Sequence, residues 1–338
     1  MIKKLIINSL TLGPFSRLGS NYYRDYVPVF MLHRMECQDL GVEGHEPSLI
    51  RESLAFLRKK KFNFVTIDDV ARATVSGSSL PPNSVAFTLD DGYSDQVDIA
   101  ADIFSEFDCP ATYYVSTGFI DGELWYWNDK IEYIVDNCPP KKLSKLYNLY
   151  PHLNLNGKSK DQVKTIITED ATLNSLKDME AKTSNTATRL GIELPFSAPE
   201  KYKPTTWDKL KQLEARGMGV GAHTYSHCIL SRESDKTAKF EIERSTNDLK
   251  NNISRPSKVF CYPVGRGQDF GQREENYVRE LGYISATSSI PGAVNTKARD
   301  EIFAIPRFSF PDTKEDFFQY ATWIESFKTQ LRHLKIVK

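Results

Sequence analysis

The stretch Ser84-Val-Ala-Phe-Thr-Leu-Asp-Asp-Gly-Tyr-Ser-Asp95 decides the fold, because an apolar run in it ends directly at two carboxylates. Residues 84–89 have β-strand character, Asp90 and Asp91 follow them, and Gly92 lets the chain turn sharply. Adjacent carboxylates disfavour each other's ionisation, and a metal ion relieves that conflict if one binds it while the other stays free as a base. The same letters are also typical of an ordinary turn, so this stretch alone leaves both interpretations open.

A second group of polar residues lies far downstream, in Met218-Gly-Val-Gly-Ala-His-Thr-Tyr-Ser-His227. Another short apolar strand ends there at His223, and His227 follows four residues later. If a helical turn begins at this point, both imidazoles lie on one face at a spacing that suits one cation. The pair lacks the glutamate of the zincin signature, but together with Asp91 it makes the two-histidine, one-carboxylate set of catalytic metal sites.

These two stretches resemble the first two motifs of the polysaccharide deacetylases, a family of metal-dependent carbohydrate esterases. The strings TLDDG and HTYSH occur in the family's order, and each follows a predicted strand. The resemblance implies that Asp90 is the general base. It also implies that Asp91, His223 and His227 hold a divalent metal, for which zinc is the first choice and other divalent metals are alternatives. It also implies an acetylated glycan as the substrate.

The chain departs from the family's commonest pattern at its third and last motifs. The third motif usually carries an arginine two residues before its proline, where this chain has Cys261 before Pro263. The last motif usually supplies a histidine as the general acid, and the only late histidine here, His333, lies in a basic tail.

In both departures the chain resembles one branch of the family, the bacterial exopolysaccharide (poly-N-acetylglucosamine) deacetylases. In that branch the acid histidine follows an early strand with a sequence like Val-Phe-Met-Leu-His33. The resemblance implies His33 as the general acid and Arg307 as the replacement arginine, which would pair with Asp90 and keep it ionised. The alternative for His33 is a buried structural histidine, and the alternative for Arg307 is a structural ion pair.

Three further residues are candidates for substrate contact. The backbone N–H of Val264 is the first free donor after Pro263, and we expect it to bind the oxyanion together with the metal. Tyr262 belongs to the same turn. Trp127 lies in the aromatic run 125–127, whose flat faces suit stacking on sugar rings, although a helical decoration without a ligand role is the alternative.

Strands and helices alternate along the chain, which indicates an α/β fold with a parallel sheet and right-handed crossovers. The predicted strands include residues 62–67 and, as the last of the series, residues 302–308. The alternation stops between about residues 118 and 206, where the sequence predicts a helical insertion beside the site. Seven or eight mostly parallel strands favour a TIM-like (β/α) barrel that is distorted or incomplete. The predicted organisation is a lead-in over 1–25, a deacetylase barrel over 26–310 and a helical tail over 311–338.

The position of the polar residues indicates a catalytic face without reference to any family. Each of them follows the carboxyl end of a predicted strand: His33, Asp90, Asp91, His223 and the turn 262–265. In a parallel barrel all those ends lie on one face, where active sites occur.

Composition restricts partners and compartment. The 338 residues carry 44 acidic and 44 basic side chains, so the net charge gives no sign of a nucleic-acid partner. The five cysteines lack C-x-x-C spacing and favour buried thiols in a reducing compartment. The N-terminal MIKKLIINSLTLG lacks a clear signal-peptide core, and no run reaches the roughly 18 apolar residues of a spanning helix. We expect a cytoplasmic protein, with a lead-in that contacts the inner membrane surface as the alternative.

The function that these observations favour is hydrolysis of acetyl groups, N-acetyl first, from a polysaccharide or glycan precursor. Two rivals come from other classes. A non-heme iron oxygenase uses the same ligand set but usually on an antiparallel β-fold. A glycan-binding protein without activity is suggested by Cys261 and the unusual acid, although the complete set of acidic and histidine residues argues against it.

Overall fold

The structure is a computed structural model that describes residues 25–299, 301–322, 324 and 325. The predicted N-terminal lead-in, its membrane contact and His333 lie outside these residues, apart from the last lead-in residue. The strands are short, and they are β1 (Tyr26–Val27), β2 (Val29–Leu32), β3 (Asn63–Phe64), β4 (Ser84–Leu89), β5 (Ala111–Val115), β6 (Gly219–Ala222), β7 (Val259–Cys261), β8 (Ser285–Thr287), β9 (Val294–Asn295) and β10 (Phe308–Ser309).

Helices connect most of these strands. They are α1 (Pro47–Lys59), α2 (Ile67–Ser76), α3 (Ala101–Glu106), α4 (Thr117–Ile120), α5 (Trp127–Asn137), α6 (Leu143–Leu149), α7 (Lys160–Ala171), α8 (Leu176–Leu190), α9 (Trp207–Ala215), α10 (Asp235–Asn252), α11 (Gln272–Glu280) and α12 (Lys314–Tyr320). None of the helices in the described ranges is both long and apolar enough to cross a bilayer.

The strands form a distorted (β/α) barrel, as the sequence predicted. The largest sheet has the order β10-β2-β4-β5-β6 with every pair parallel, and β3 adds to the start of β4. β7 and β8 form a separate parallel pair, and a bridge from Thr287 to Ile305 leads back toward β10. Between β6 and β7 no ladder forms in the described residues, although the Ser257 N–H donates to the Val220 carbonyl at 2.8 Å. This gap is the distortion of the barrel.

Side-chain alternation along β4 decides which residues face the barrel interior. Phe87 and Leu89 pack in an outer apolar cluster together with the helices, whereas Ala86 packs in an inner cluster that joins opposite strands. Successive strand residues point to opposite faces, so the inward series that includes Ala86 continues to Asp90. The buried strand therefore delivers a carboxylate to the interior at its carboxyl end.

The same alternation applies to β6 and β7. Ala222 belongs to the outer cluster, so the next residue, His223, turns inward. Cys261 belongs to the inner cluster and Tyr262 to the outer one. Two strands that are not paired in a ladder thus still place their last side chains in the same space.

Two sequence predictions about elements need correction. The strand predicted over 62–67 is only two residues long, because Thr66 caps a helix there. The Thr66 Oγ1 accepts the N–H of Asp69 at 3.0 Å, and the Asp69 carboxylate accepts the N–H of Thr66. The last strand, predicted over 302–308, is reduced to the bridge at Ile305 and to β10.

Between β5 and α9 the chain runs through α4–α8. Helices α5–α8 pack around an apolar cluster of their own, which we call the helical cluster and which is separate from the two clusters of the barrel. Its buried members include Trp127, Ile131, Leu146, Val163, Met179 and Leu190.

Candidate metal and catalytic site

The structure brings Asp91, His223 and His227 together at the carboxyl ends of β4 and β6. All three are buried, and the Nε2 atoms of the two imidazoles lie 3.4 and 3.3 Å from the same Asp91 oxygen, Oδ1. In a tetrahedral zinc site with ligands about 2.0–2.1 Å from the ion, neighbouring ligand atoms lie about 3.3 Å apart. The three donors therefore fit a divalent ion in number, type and spacing.

The orientation of His223 supports this assignment. Its Nδ1 lies 2.9 Å from the Cys261 carbonyl oxygen, which can only accept a hydrogen bond. Nδ1 therefore carries a proton, and Nε2 is the ring nitrogen that points at Asp91. Such a second contact, which fixes the tautomer and the ring plane, is typical of histidines that bind metals.

His227 reaches the site from a loop rather than from the helical turn that the sequence suggested. Thr224 and His227 both have left-handed backbone angles, with φ of 63° and 58°, and the His227 N–H donates to Thr224 Oγ1 at 3.0 Å. The ring packs on Tyr126 at 4.8 Å between centroids, and the Tyr126 hydroxyl donates to the Asp91 carbonyl at 2.7 Å. Nδ1 of His227 has no hydrogen-bond partner among the described residues.

The charges of the three ligands suit a cation. Burial alone raises the pKa of Asp91, but the contacts with His227 and His223 outweigh it and hold that pKa well below its usual value. Burial lowers the pKa of His227, which favours the neutral imidazole that binds metals. Although burial opposes its charge, Cys261 and Asp91 raise the pKa of His223 well above the usual value. A cation that binds there displaces a proton, as metals do at protein sites.

Asp90 has a different partner. Arg307 donates to both of its carboxylate oxygens, at 2.8 and 2.7 Å, and only 1% of the arginine is exposed. Nε of Arg307 donates to the Ser288 carbonyl at 2.8 Å, and Nη1 also donates to Thr88 Oγ1 at 2.9 Å, so the guanidinium is fixed by four oxygen acceptors. Burial raises the pKa of Asp90, but Arg307 overcomes this effect and keeps the pKa below its usual value. Asp90 is therefore an ionised and firmly oriented carboxylate.

A second set of donors, Asp90, His223 and Cys261, also lies close enough to bind a metal. The Arg307 guanidinium already occupies the charged side of this set, since it contacts both Asp90 oxygens and lies 3.3 Å from Cys261 Sγ. A second cation in that space would be repelled by the first. Asp91 and the two histidines are therefore the better candidate set for a metal.

His33 follows β2 and is exposed at the rim of the same face. Its charge is among those that lower the pKa of Asp90 and of Asp91. The buried Gln96 ties the two strand ends together, because its amide donates to the carbonyls of His33 and Asp90 while its oxygen accepts the Gly92 N–H at 3.2 Å. No sequence pattern indicated Gln96, since the contact depends on the pairing of β2 with β4.

The turn after β7 carries the predicted backbone donor. Val264 has φ of 59°, an unfavourable conformation for a β-branched residue, and Gly265 follows with φ of 68°. Ser289 Oγ donates to the Val264 carbonyl at 2.6 Å, while the Val264 N–H has no acceptor within the described part of the chain.

Backbone strain is concentrated at this site. Of the seven non-glycine residues with positive φ in the described ranges, four belong to the site: Asp91, Thr224, His227 and Val264. Such conformations persist where the surroundings hold them, and they cluster at functional sites. The concentration supports a functional assignment independently of the side-chain chemistry.

Two predicted substrate contacts are wrong. The Tyr262 ring is 1% exposed and stacks on Phe270 at 4.2 Å, because strand alternation turns it away from the interior. Trp127 is 2% exposed and belongs to the helical cluster, since it begins α5 and faces the other helices. Neither ring offers a face to a sugar.

The sequence also missed a buried pair beside the site. The Tyr93 hydroxyl lies 3.0 and 2.9 Å from the two oxygens of Asp129, and the Arg34 guanidinium stacks on the Tyr93 ring at 3.9 Å. Burial raises the pKa of Asp129 to about 8. This pair joins α5 to the turn after β4.

The fold is a distorted (β/α) barrel, and its candidate site combines two carboxylates with two histidines at the carboxyl ends of β4 and β6. The sequence pattern of the polysaccharide deacetylases matches residues 77–285, which is more than half of the chain. The chain therefore belongs to the polysaccharide deacetylase family, as the motifs predicted, and carbohydrate deacetylation is its class of reaction.

Three solved structures with a similar fold are distant from this chain in sequence. The deacetylase PplD of Streptococcus pyogenes, in complex with acetate, is 14% identical with a TM-score of 0.57, over 90% of this chain and 97% of that one. IcaB from Ammonifex degensii is 16% identical with a TM-score of 0.56, over 89% and 97%. A de-N-acetylase from Aggregatibacter actinomycetemcomitans is 12% identical with a TM-score of 0.53, over 86% and 99%. Among curated proteins no relative matches.

Proposed function

We propose that this protein is a metal-dependent deacetylase that hydrolyses N-acetyl groups on a polysaccharide or a glycan precursor. The observation that carries this proposal is the different surroundings of two adjacent carboxylates. Asp91 faces two imidazole nitrogens, whereas Asp90 faces the Arg307 guanidinium. The pair thus provides one ligand and one free base within a single strand end, as the hydrolysis of an amide requires.

Asp91, His223 and His227 would hold a divalent ion, and zinc is the first choice for two imidazoles and a carboxylate. When bound, such an ion lowers the pKa of water and polarises the acetyl carbonyl. The chain's own part is to aim three donors at one point, where the ion would displace a proton from His223, and to keep other cations away from Asp90.

The remaining residues move the protons and stabilise the charge. Asp90 takes the proton of the attacking water, and Arg307 keeps it ionised and oriented for that step. The Val264 N–H is free to donate to the oxyanion that develops on the acetyl group. His33 gives a proton to the departing sugar nitrogen, so that acetate and a free amine are the products.

The nature of the leaving group supports N-acetyl rather than O-acetyl substrates. An amine is a poor leaving group unless it is protonated, and His33 lies at the exposed rim where a sugar would enter. One of the structural relatives is described as a de-N-acetylase. The resemblance to the exopolysaccharide branch, with its early acid histidine, points the same way.

We propose that the protein acts in a reducing compartment, the cytoplasm, with the inner membrane surface as the alternative site. All five cysteines carry free thiols, and four of them are buried. No two of the five form a disulfide, the bond that is typical of proteins from oxidising compartments. The segment that would contact a membrane precedes the described residues.

The test is acetate release from an N-acetylated chito-oligosaccharide by the zinc-loaded protein, compared with the chelator-treated protein and with O-acetylated sugars. We expect release that depends on metal and that is faster for the N-acetyl substrate. Binding of the oligosaccharide without any release of acetate would instead identify a glycan-binding protein.

A further inference from the structure

Glu241 is a buried carboxylate that none of the steps above uses. It lies on α10 and is 4% exposed. Its Oε2 accepts the N–H groups of Tyr225 and Ser226, at 3.1 and 2.8 Å, and its Oε1 accepts the Ser226 hydroxyl at 2.6 Å. All three donors belong to the loop between the two histidines of the metal site.

That loop is held in an unfavourable backbone conformation. Thr224 and His227, on either side of the two residues that Glu241 binds, both have left-handed backbone angles. Non-glycine residues in this region are strained, so the loop would relax if its buried N–H groups lost their acceptor. The bond from the His227 N–H to Thr224 Oγ1 closes the loop but does not satisfy the N–H groups that Glu241 binds.

We propose that Glu241 is a positioning residue for the metal site. It holds the loop 224–227 in the conformation that aims His227 Nε2 at Asp91. The inference rests on the proposed metal-dependent function and adds a residue that contacts neither the ligands nor the substrate. It acts through two backbone N–H groups and one hydroxyl, so the hydrogen-bonding capacity of Glu241 matters more than its charge.

Two substitutions separate these contributions. Glu241→Leu removes every acceptor and leaves the N–H groups of Tyr225 and Ser226 without a partner. Glu241→Gln keeps the shape: its amide oxygen can accept both N–H groups, and its NH₂ can donate to Ser226 Oγ. Glu274→Leu is the matched control, because Glu274 is also a glutamate, 2% exposed, that accepts a backbone N–H, from Gly271, but lies at the start of α11.

The measurement is the zinc affinity of each folded protein, by competition with a chromophoric chelator, together with the melting temperature of the metal-free protein. We expect Glu241→Leu to weaken zinc binding by roughly 10–100-fold, the usual effect of losing an outer contact at a metal site. Glu241→Gln should stay within about threefold of wild type by the same reasoning. Glu274→Leu should lower the melting temperature and leave the zinc affinity unchanged.

Wild-type zinc affinity in folded Glu241→Leu would overturn the inference, and so would an equal loss in Glu241→Gln. If Glu241→Leu does not fold, Glu241→Asp carries the test, because a carboxylate that is one methylene shorter withdraws from both N–H groups. Unchanged affinity in that variant would also overturn it. A wild-type protein that binds no divalent ion would contradict the proposed function instead, which distinguishes the two failures.

Discussion

The barrel and the helical segment between β5 and α9 each bury a carboxylate, and the two carboxylates differ in charge. Asp90 in the barrel is 2% exposed and Asp129 on α5 is 3% exposed. Asp90 accepts two hydrogen bonds from a guanidinium and has a lowered pKa, whereas Asp129 accepts from the phenol of Tyr93 and has a pKa raised to about 8 by burial. The partner, not the burial, decides whether a buried carboxylate is available as a base.

The two regions therefore have different tasks in this account. The barrel rim combines ionised side chains with strained backbone, and we propose that both serve catalysis. The helical segment packs on its own apolar cluster, and its buried acid is a hydrogen-bonded contact with the barrel rather than a reacting group. Substitutions in the first region should alter metal binding and turnover, and those in the second should alter stability.

The largest effect is expected from loss of a histidine ligand. His223→Ala and His227→Ala should each abolish zinc retention and acetate release, because two remaining ligands make a poor site. Loss of the metal removes several kcal/mol of transition-state stabilisation, which corresponds to a rate loss of about 10³-fold or more. Metal analysis after dialysis and an acetate assay measure both effects, and retained zinc in either variant would show that the assignment of ligands is incorrect.

Removal of Arg307 should make Asp90 behave like Asp129. In Arg307→Met, burial is no longer opposed, so the pKa of Asp90 should rise and the acidic limb of the kcat/KM profile should move to higher pH. An unpaired buried charge also destabilises a protein by about 3–5 kcal/mol. The control is Arg266→Met, since Arg266 also makes a bidentate ion pair, with Asp269, but does not contact Asp90. An unshifted pH profile in Arg307→Met would separate Arg307 from the base.

His33→Ala tests the proposed general acid. Metal content and folding should be unchanged, while hydrolysis of the amide should slow by roughly 10²–10⁴-fold, the usual contribution of a positioned acid. An acetyl ester with a good leaving group needs little protonation and should be affected much less. An equal loss on both substrates, together with a lower melting temperature, would instead identify a structural histidine.

The smallest effect concerns Asp129 and appears in stability alone. Its pKa is about 8 in the folded protein and 3.8 by its reference value, so the folded state keeps a proton that the unfolded chain loses. The stability from this group is complete below the lower pKa and declines as the pH rises through the higher one. Urea denaturation at pH 5 and pH 8 should therefore show a smaller pH difference in Asp129→Asn than in wild type. Identical differences in the two proteins would contradict the assignment.

The sequence predicts the barrel well, and it places the candidate site residues at strand ends, because the determining patterns are local. The buried run before Asp90 and the short strand before His223 identify strand ends, and parallel strands bring such ends to one face. The same local rule could also have excluded Tyr262, since it alternates with the inward Cys261. For Trp127 and Glu241 no local pattern exists, because their surroundings depend on how α5 packs on its neighbours and on how α10 approaches the histidine loop.

The division of roles between the adjacent carboxylates is tested most directly by zinc content and acetate release, measured in the same preparations of wild type, Asp90→Asn and Asp91→Asn. We predict that Asp90→Asn binds zinc like wild type but loses turnover by roughly 10²–10⁴-fold, the usual contribution of a general base. Asp91→Asn should lose both zinc and turnover. An Asp90→Asn protein without zinc, or an Asp91→Asn protein that keeps zinc and activity, would contradict the account.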